Sequence, residues 1–428
     1  MSLVGDIRVP SDKSISHRAL LLAAMARGTS HLENLLPSDD VLCTLAAVRA
    51  LGATCEFEEG PLGLSGTVMG WGRALNRGPL DIDCGNSGTT ARLLLGMLAG
   101  LGVDATLHGD ASLSQRPMGR VLDPLRSMGA RFECEHGRLP VHVLGHEGEL
   151  SGINYTTKQA SAQVKSAIML AALGASGRTN VTEHAASRDH TERLLPAFGA
   201  QVQVRGHTIG MDGGQRLVPY DLSAPGDTSS AAFVAVAAAL CPGSQVRIRQ
   251  VALNPTRTGA LELLRSMGCS LAYEGRHMEG AEPVGDVVVR HGLQLRAMEV
   301  PSSRVPALID EVPVLALAAA VADGETVFHG VGELRVKESD RLQATVDALC
   351  AMGVEARAAG DDLHIMGCGA AGVPASGRIE LATHHDHRLA MSWHLAGLAF
   401  GFEPVLDDAA CVSVSWPGFY DDIVALVR

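Results

Sequence analysis

The sequence predicts an α/β protein of two domains, each assembled from three copies of one repeating unit. Three observations carry this. The chain is 428 residues long, enough for two or three domains at roughly 100–200 residues each. A short strand-like segment recurs six times behind a helical stretch rich in alanine and leucine. Five turns that end a second helix on glycine follow at nearly the same period.

In chain order the strand-like segments begin at Thr29, Thr106, Thr179, Gln245, Thr326 and Pro404, with spacings of 77, 73, 66, 81 and 78 residues. The helices before them are expected over 16–27, 89–101, 161–173, 229–240, 307–322 and 388–400. Each is apolar nearly all round, the pattern of a helix buried on most faces. The turns Leu51-Gly52, Met128-Gly129, Phe198-Gly199, Met267-Gly268 and Met352-Gly353 suit left-handed helix C-caps, and 418–427 is the matching helix of the sixth copy. The alternation of 5–10 predicts an initial strand. Two helices and several strands in each copy imply two pseudo-equivalent halves, their buried helices covered by sheets.

Composition removes several classes of function. The chain has 35 Lys+Arg against 47 Asp+Glu, a net charge of −12, and 15 Phe, Trp and Tyr together, so it has neither the basic footprint nor the stacking platform of a nucleic-acid binder. Its longest uncharged apolar runs, such as 312–322, fall well short of the ~18–20 residues that cross a bilayer. The nine cysteines are scattered from Cys43 to Cys411 without C-x-x-C spacing, which indicates neither a disulfide framework nor a zinc knuckle and fits a reducing cytosol. No secretory signal pattern opens the chain. Lysine occurs only at positions 13, 158, 165 and 337.

The polar segments stand just ahead of the six helices: Ser11-Asp12-Lys13-Ser14, Gly85-Asn86-Ser87-Gly88, Ser161-Ala162-Gln163, Pro225-Gly226-Asp227-Thr228, Ile309-Asp310-Glu311 and Asp386-His387-Arg388. Ser, Thr and Asp there are ordinary N-caps. Helix starts also offer free N–H groups and partial positive charge. With Lys13, Arg18, Arg92, Lys165 and Arg388 added, the pattern suits an oxyanion site. Lys165, one turn beyond Ser161, is placed to support a phosphate. A helix starting at Lys337 would set Lys337 and Arg341 on one face with Glu338 beside them. Arg116 before Pro117 is held extended, as a bidentate grip on carboxylate or phosphate requires. Asp310 reads either as a helix N-terminal charge or as a general base. The cluster His384-His385-Asp386-His387 matches no standard zinc spacing, and neither phosphate-loop nor dinucleotide glycine motifs occur.

Taken together, Asp12-Lys13-Ser14-Ile15-Ser16-His17-Arg18, Gly85-Asn86-Ser87-Gly88-Thr89, Gln115-Arg116-Pro117-Met118-Gly119, Ser161-Ala162-Gln163, Asn254-Pro255-Thr256-Arg257, Ile309-Asp310-Glu311, Arg335-Val336-Lys337-Glu338-Ser339-Asp340-Arg341 and Asp386-His387-Arg388 resemble the 5-enolpyruvylshikimate-3-phosphate (EPSP) synthases. The resemblance runs from about residue 5 to about residue 420. It implies a two-domain inside-out α/β barrel, the enolpyruvyl transferase fold, built from six βαβαββ-like units around a closing cleft. The implied domains are 13–225 and 226–428, with residues 1–12 joining the second.

The implied activity is transfer of the enolpyruvyl group of phosphoenolpyruvate to the 5-hydroxyl of shikimate 3-phosphate in a cytoplasmic, monomeric enzyme of aromatic amino acid biosynthesis, without metal or cofactor. Carried over by position, Lys13, Ser14, Arg18, Ser161, Ala162, Gln163, Ser187, Arg188, Asp310 and Lys337 meet shikimate 3-phosphate. Lys13, Asn86, Gly88, Arg116, Gln163, Arg341 and Arg388 meet phosphoenolpyruvate. Asp310 is the base on the 5-hydroxyl, Glu338 moves a proton at the methylene carbon, and Lys13 completes the catalytic set. Gly88 leaves room in the phosphoenolpyruvate pocket, which implies competition by glyphosate. Departures from the family pattern are Val414 where many members carry lysine, Ala162 for serine and Glu333 for asparagine, features of a divergent bacterial branch. The nearest alternative, UDP-N-acetylglucosamine enolpyruvyl transferase, uses a cysteine that Asp110-Ala111-Ser112-Leu113-Ser114 lacks. A non-catalytic anion-binding repeat protein would not need Asp310 and Glu338.

Overall fold

The computed structural model describes residues 1–428 except 147, 149 and 293. The chain divides into two compact units. One comprises Ser11–Ala224 with Gly280–Glu282, and the other Met1–Pro10, Pro225–Glu279 and Pro283–Arg428. Each has its own hydrophobic core.

Six helices lie at the centres of these cores, three in each: Lys13–Met25, Gly88–Leu101 and Ala162–Ala172, then Thr228–Leu240, Val312–Ala320 and His387–Phe400. They are called here the first to sixth core helices. All nine residues of the fifth are buried, as are Thr228 to Ala239 of the fourth, which is why their sequences lack a polar face. Side-chain oxygens cap five of the six. Asp12 accepts from the Ile15 amide, Ser87 from Thr90, Ser161 from Val164, Asp227 from Ser229 and Asp386 from Arg388. The fifth differs. Two 3₁₀ turns, Val305–Ala307 and Ile309–Glu311, precede it, and Pro313 fills its first turn. The single helix expected over 307–322 is therefore shorter, because Pro313 has no amide hydrogen to donate back to Ile309 and suits only the first turn of a helix.

Five four-stranded sheets cover these helices, and all share one opening arrangement. Their first two strands are parallel: Leu222–Ser223 beside Thr29–Leu35, Leu80–Asp83 beside Ala105–His108, Asn154–Thr156 beside Arg178–Thr182, Val4–Ile7 beside Gln245–Ala252, and Glu299–Val300 beside Asp323–Phe328. The third strand is antiparallel to the second in every case. Arg378–Leu381 and Glu403–Leu406 form a parallel pair alone. Every sheet in this set is open, so the barrel expected from the sequence is not a closed sheet among the described residues.

The second helices end as the glycine turns require. Gly52, Gly129, Gly199, Gly268 and Gly353 all have positive φ, between 80° and 104°, where a side chain would be strained. The helix expected to start at Lys337 does not. A 3₁₀ turn covers Gly332–Val336, and the helix begins at Arg341 because Asp340 accepts from the Gln343 amide and caps it there.

Candidate active site

In the unit that contains Ser11–Ala224, the three core-helix starts carry a connected polar set. Lys13 opens the first core helix and pairs with Asp40. Ser14 follows, and its carbonyl accepts from Arg18 Nη1 at 3.0 Å. Arg18 is buried, and its Nε donates to Thr191 Oγ1 at 2.7 Å while Nη2 donates to Ser166 Oγ at 2.8 Å.

The turn before the second core helix holds Asn86 by both ends of its amide. Its Oδ1 accepts from Arg116 Nη2 at 2.5 Å, and its Nδ2 donates to Asp110 Oδ2 at 2.6 Å. Gly88 is crowded by cations: a methyl group built there would stand 3.0 Å from Arg92 Nη1 and 3.5 Å from Arg116 Nη1. Arg92 Nη1 donates to Gln163 Oε1 at 2.7 Å, and Gln163 Nε2 donates to Thr89 Oγ1 at 3.1 Å. Asn86, Gly88, Arg116 and Gln163 are thus brought together. Arg92 is the residue that joins them, and its sequence signal was its position one helical turn beyond Gly88.

Ser161 caps the third core helix and Ala162 is its first residue. Ser187 lies in the loop that follows the strand Arg178–Thr182, where its hydroxyl donates to Glu183 Oε1 at 2.5 Å. Half-exposed Arg188 comes next in that loop. Lys165 does not present a free cation: it is buried, with its amine 2.7 Å from both Glu183 Oε2 and Glu192 Oε1. The phosphate support expected of Lys165 therefore has to pass through these carboxylates.

The other unit gathers Asp310, Lys337, Glu338, Arg341 and Arg388. Its hub is Arg341, only 1% exposed. Arg341 Nε donates to Asp386 Oδ2 at 2.7 Å and Nη2 donates to Asp386 Oδ1 at 3.1 Å, a bidentate grip. The same guanidinium reaches Asp310 Oδ1 at 3.3 Å and Glu338 Oε2 at 2.7 Å. Lys337 Nζ stands 3.5 Å from Asp310 Oδ1 and 3.5 Å from Glu333 Oε1. Arg388 Nη1 donates to Glu311 Oε1 at 2.9 Å and to the Asp310 carbonyl at 3.2 Å. Burial opposes ionisation of Asp386, but the Arg341 charge overrides it and holds the carboxyl below its ordinary value. Asp386 has no role in the sequence reading beyond its motif, because an aspartate at a helix start reads as a cap. It is a cap, and it is also the counter-ion of the hub.

Two carboxylates bound to one buried guanidinium, with a lysine beside one of them, can take and give protons next to fixed positive charge. The family model for EPSP synthase (3-phosphoshikimate 1-carboxyvinyltransferase) matches residues 1–423. The chain belongs to the EPSP synthase family. Two 3-phosphoshikimate 1-carboxyvinyltransferases illustrate the likeness. That of Caulobacter vibrioides is 46% identical over 433 aligned residues, covering 98% of this chain and 95% of the relative, and that of Acidiphilium cryptum is 48% identical over 423, covering 97% and 93%. The solved EPSP synthase of Acinetobacter baumannii superposes with a TM-score of 0.86 at 42% identity, covering 99% of this chain and 96% of that one. The EPSP synthase assignment accounts for the two-unit α/β fold and does not favour the UDP-N-acetylglucosamine alternative. Among the described residues no helix is long and apolar enough to cross a membrane. Val414, at the departure from the EPSP synthase pattern, ends the 3₁₀ turn Ala410–Val414.

Proposed function

We propose that this enzyme transfers the enolpyruvyl group of phosphoenolpyruvate to the 5-hydroxyl of shikimate 3-phosphate, releasing phosphate and forming 5-enolpyruvylshikimate 3-phosphate. The observation that carries the residue assignments is the ion pairing of Asp310 and Glu338 to one buried arginine in a chain of this family. In the first step Asp310 removes the proton of the 5-hydroxyl, whose oxygen bonds to C2 of phosphoenolpyruvate. Glu338 delivers a proton to the methylene carbon, which becomes a methyl group in a tetrahedral intermediate. In the second step that methyl group returns a proton to Glu338 and the C2–O bond to phosphate breaks, leaving the vinyl ether and inorganic phosphate, which carries off the proton held by Asp310. Fixed cations offset the repulsion between two anionic substrates and align them.

Within Ser11–Ala224, Lys13, Ser14, Arg18, Ser161, Ala162, Gln163, Ser187 and Arg188 are assigned to shikimate 3-phosphate, and Lys13, Asn86, Gly88, Arg116 and Gln163 to phosphoenolpyruvate. In the other unit Asp310 and Lys337 are assigned to shikimate 3-phosphate, and Arg341 and Arg388 to phosphoenolpyruvate. Arg341 already meets Asp386, Asp310 and Glu338, so its contact with phosphoenolpyruvate competes with these carboxylates. Competition by glyphosate for the phosphoenolpyruvate site rests on Gly88, where an added methyl group would press on Arg92 and Arg116. The shared strand order of five sheets supports six βαβαββ-like units, three per domain. The enzyme is read as a cytoplasmic monomer.

Asp310→Ala tests the base. Shikimate 3-phosphate binding measured by calorimetry is expected to stay within several-fold of wild type, while turnover falls by about 10²–10⁴. Normal turnover in this variant contradicts the assignment.

A further inference from the structure

Lys165 is one of four lysines in the chain, and it is almost wholly buried on a core helix. Burying an ammonium carries a desolvation cost even when it is paired, and an apolar side chain of similar size often serves stability as well. Its surroundings point to another use. Lys165 and Ser166 face the helix His190–Ala197 across a polar seam. Lys165 Nζ pairs with Glu192 Oε1 at 2.7 Å, and Ser166 Oγ lies 2.6 Å from Thr191 Oγ1. The Ser166–Thr191 rung receives Arg18, whose Nη2 and Nε donate to those two hydroxyls. The Lys165–Glu192 rung extends to Glu183, 2.7 Å from the same amine, and from Glu183 to Ser187 through its hydroxyl at 2.5 Å and its amide at 3.5 Å. One seam therefore fixes two groups assigned to shikimate 3-phosphate.

We infer that Lys165 and Glu183 are positioning residues for substrate phosphate, setting the Ser187 hydroxyl from behind; this rests on the reading of Ser187 as a phosphate contact. A carboxylate near a phosphate would ordinarily repel it. Lys165 cancels that charge, so Glu183 can orient Ser187 without opposing the ligand. A hydroxyl has a single proton to donate. When phosphate arrives, that proton turns from Glu183 to the ligand, and Lys165 keeps Glu183 paired. Glu192 fits the same balance. Burial pushes its pKa above the ordinary carboxylate value despite the attraction of the shared Lys165 amine.

The test compares KM for each substrate in the full-length wild type and in Ser187→Ala, Glu183→Gln, Lys165→Met and the Ser187→Ala/Glu183→Gln double variant. Ser187→Ala, Glu183→Gln and Lys165→Met are each expected to raise KM for shikimate 3-phosphate about tenfold, the effect of a charge-assisted hydrogen bond. KM for phosphoenolpyruvate is expected to stay within about twofold, and the double variant to be no worse than Ser187→Ala alone. Unchanged KM in Ser187→Ala overturns the phosphate reading of Ser187 itself. A raised KM in Ser187→Ala with wild-type KM in Glu183→Gln, or additive effects in the double variant, overturns the positioning inference. If Lys165→Met fails to fold, the nearly isosteric Glu183→Gln decides the matter.

Discussion

At the scale of single residues, three of the four lysines meet carboxylates: Lys13 with Asp40, Lys165 with Glu183 and Glu192, and Lys337 with Asp310 and Glu333. Their place in polar segments was legible in the sequence. The partners Asp40 and Glu183 were not, since they lie remote in sequence, and neither was Asp386, the partner of Arg341, which reads as a cap. Asp386 shows the consequence most clearly. Its folded pKa is depressed, so the unfolded chain takes up the proton first as the solution is acidified. The stability it contributes is present above its unfolded value of about 3.9 and is lost as pH falls through the lower folded value. Asp386→Asn should cost about 3–5 kcal/mol near neutrality, because it strips the buried guanidinium of its bidentate partner. It should also flatten the acid limb of stability against pH. Denaturant titrations of both proteins from neutral to acid pH check this, and an unchanged acid limb counts against the role of Asp386.

At the scale of elements, the core helices were readable because a run of alanine, leucine, valine and methionine has no solvated face, and the C-capping glycines were readable because few other residues accept positive φ. The segment 337–340 was misread because its charges have helical spacing, whereas the Asp340 side chain stops the helix short of them. Close approach of backbones was also invisible. The second and third core helices meet through Gly96 and Gly100 against Ala167 and Ala171. A methyl group on Gly96 would stand 2.1 Å from the Ala167 carbonyl oxygen. Gly96→Ala should therefore destabilise the protein by about 1–3 kcal/mol or more despite the higher helix propensity of alanine. A chemical denaturation midpoint at or above wild type would refute this packing.

At the scale of the whole molecule, the repeat period anticipated where strands and helices alternate, but not which strand completes each sheet. Val4–Ile7 pairs with Gln245–Ala252, and Leu222–Ser223 pairs with Thr29–Leu35. In both pairs the partners are nearly two hundred residues or more apart, and no local pattern specifies such a pairing. What the molecule does with its polar helix starts and its carboxylates is tested most directly by phosphate release. Purified enzyme given phosphoenolpyruvate and shikimate 3-phosphate should release one phosphate for each 5-enolpyruvylshikimate 3-phosphate formed, with no release when either substrate is left out. Phosphate at background level with both substrates present, or release that does not depend on shikimate 3-phosphate, would contradict the account.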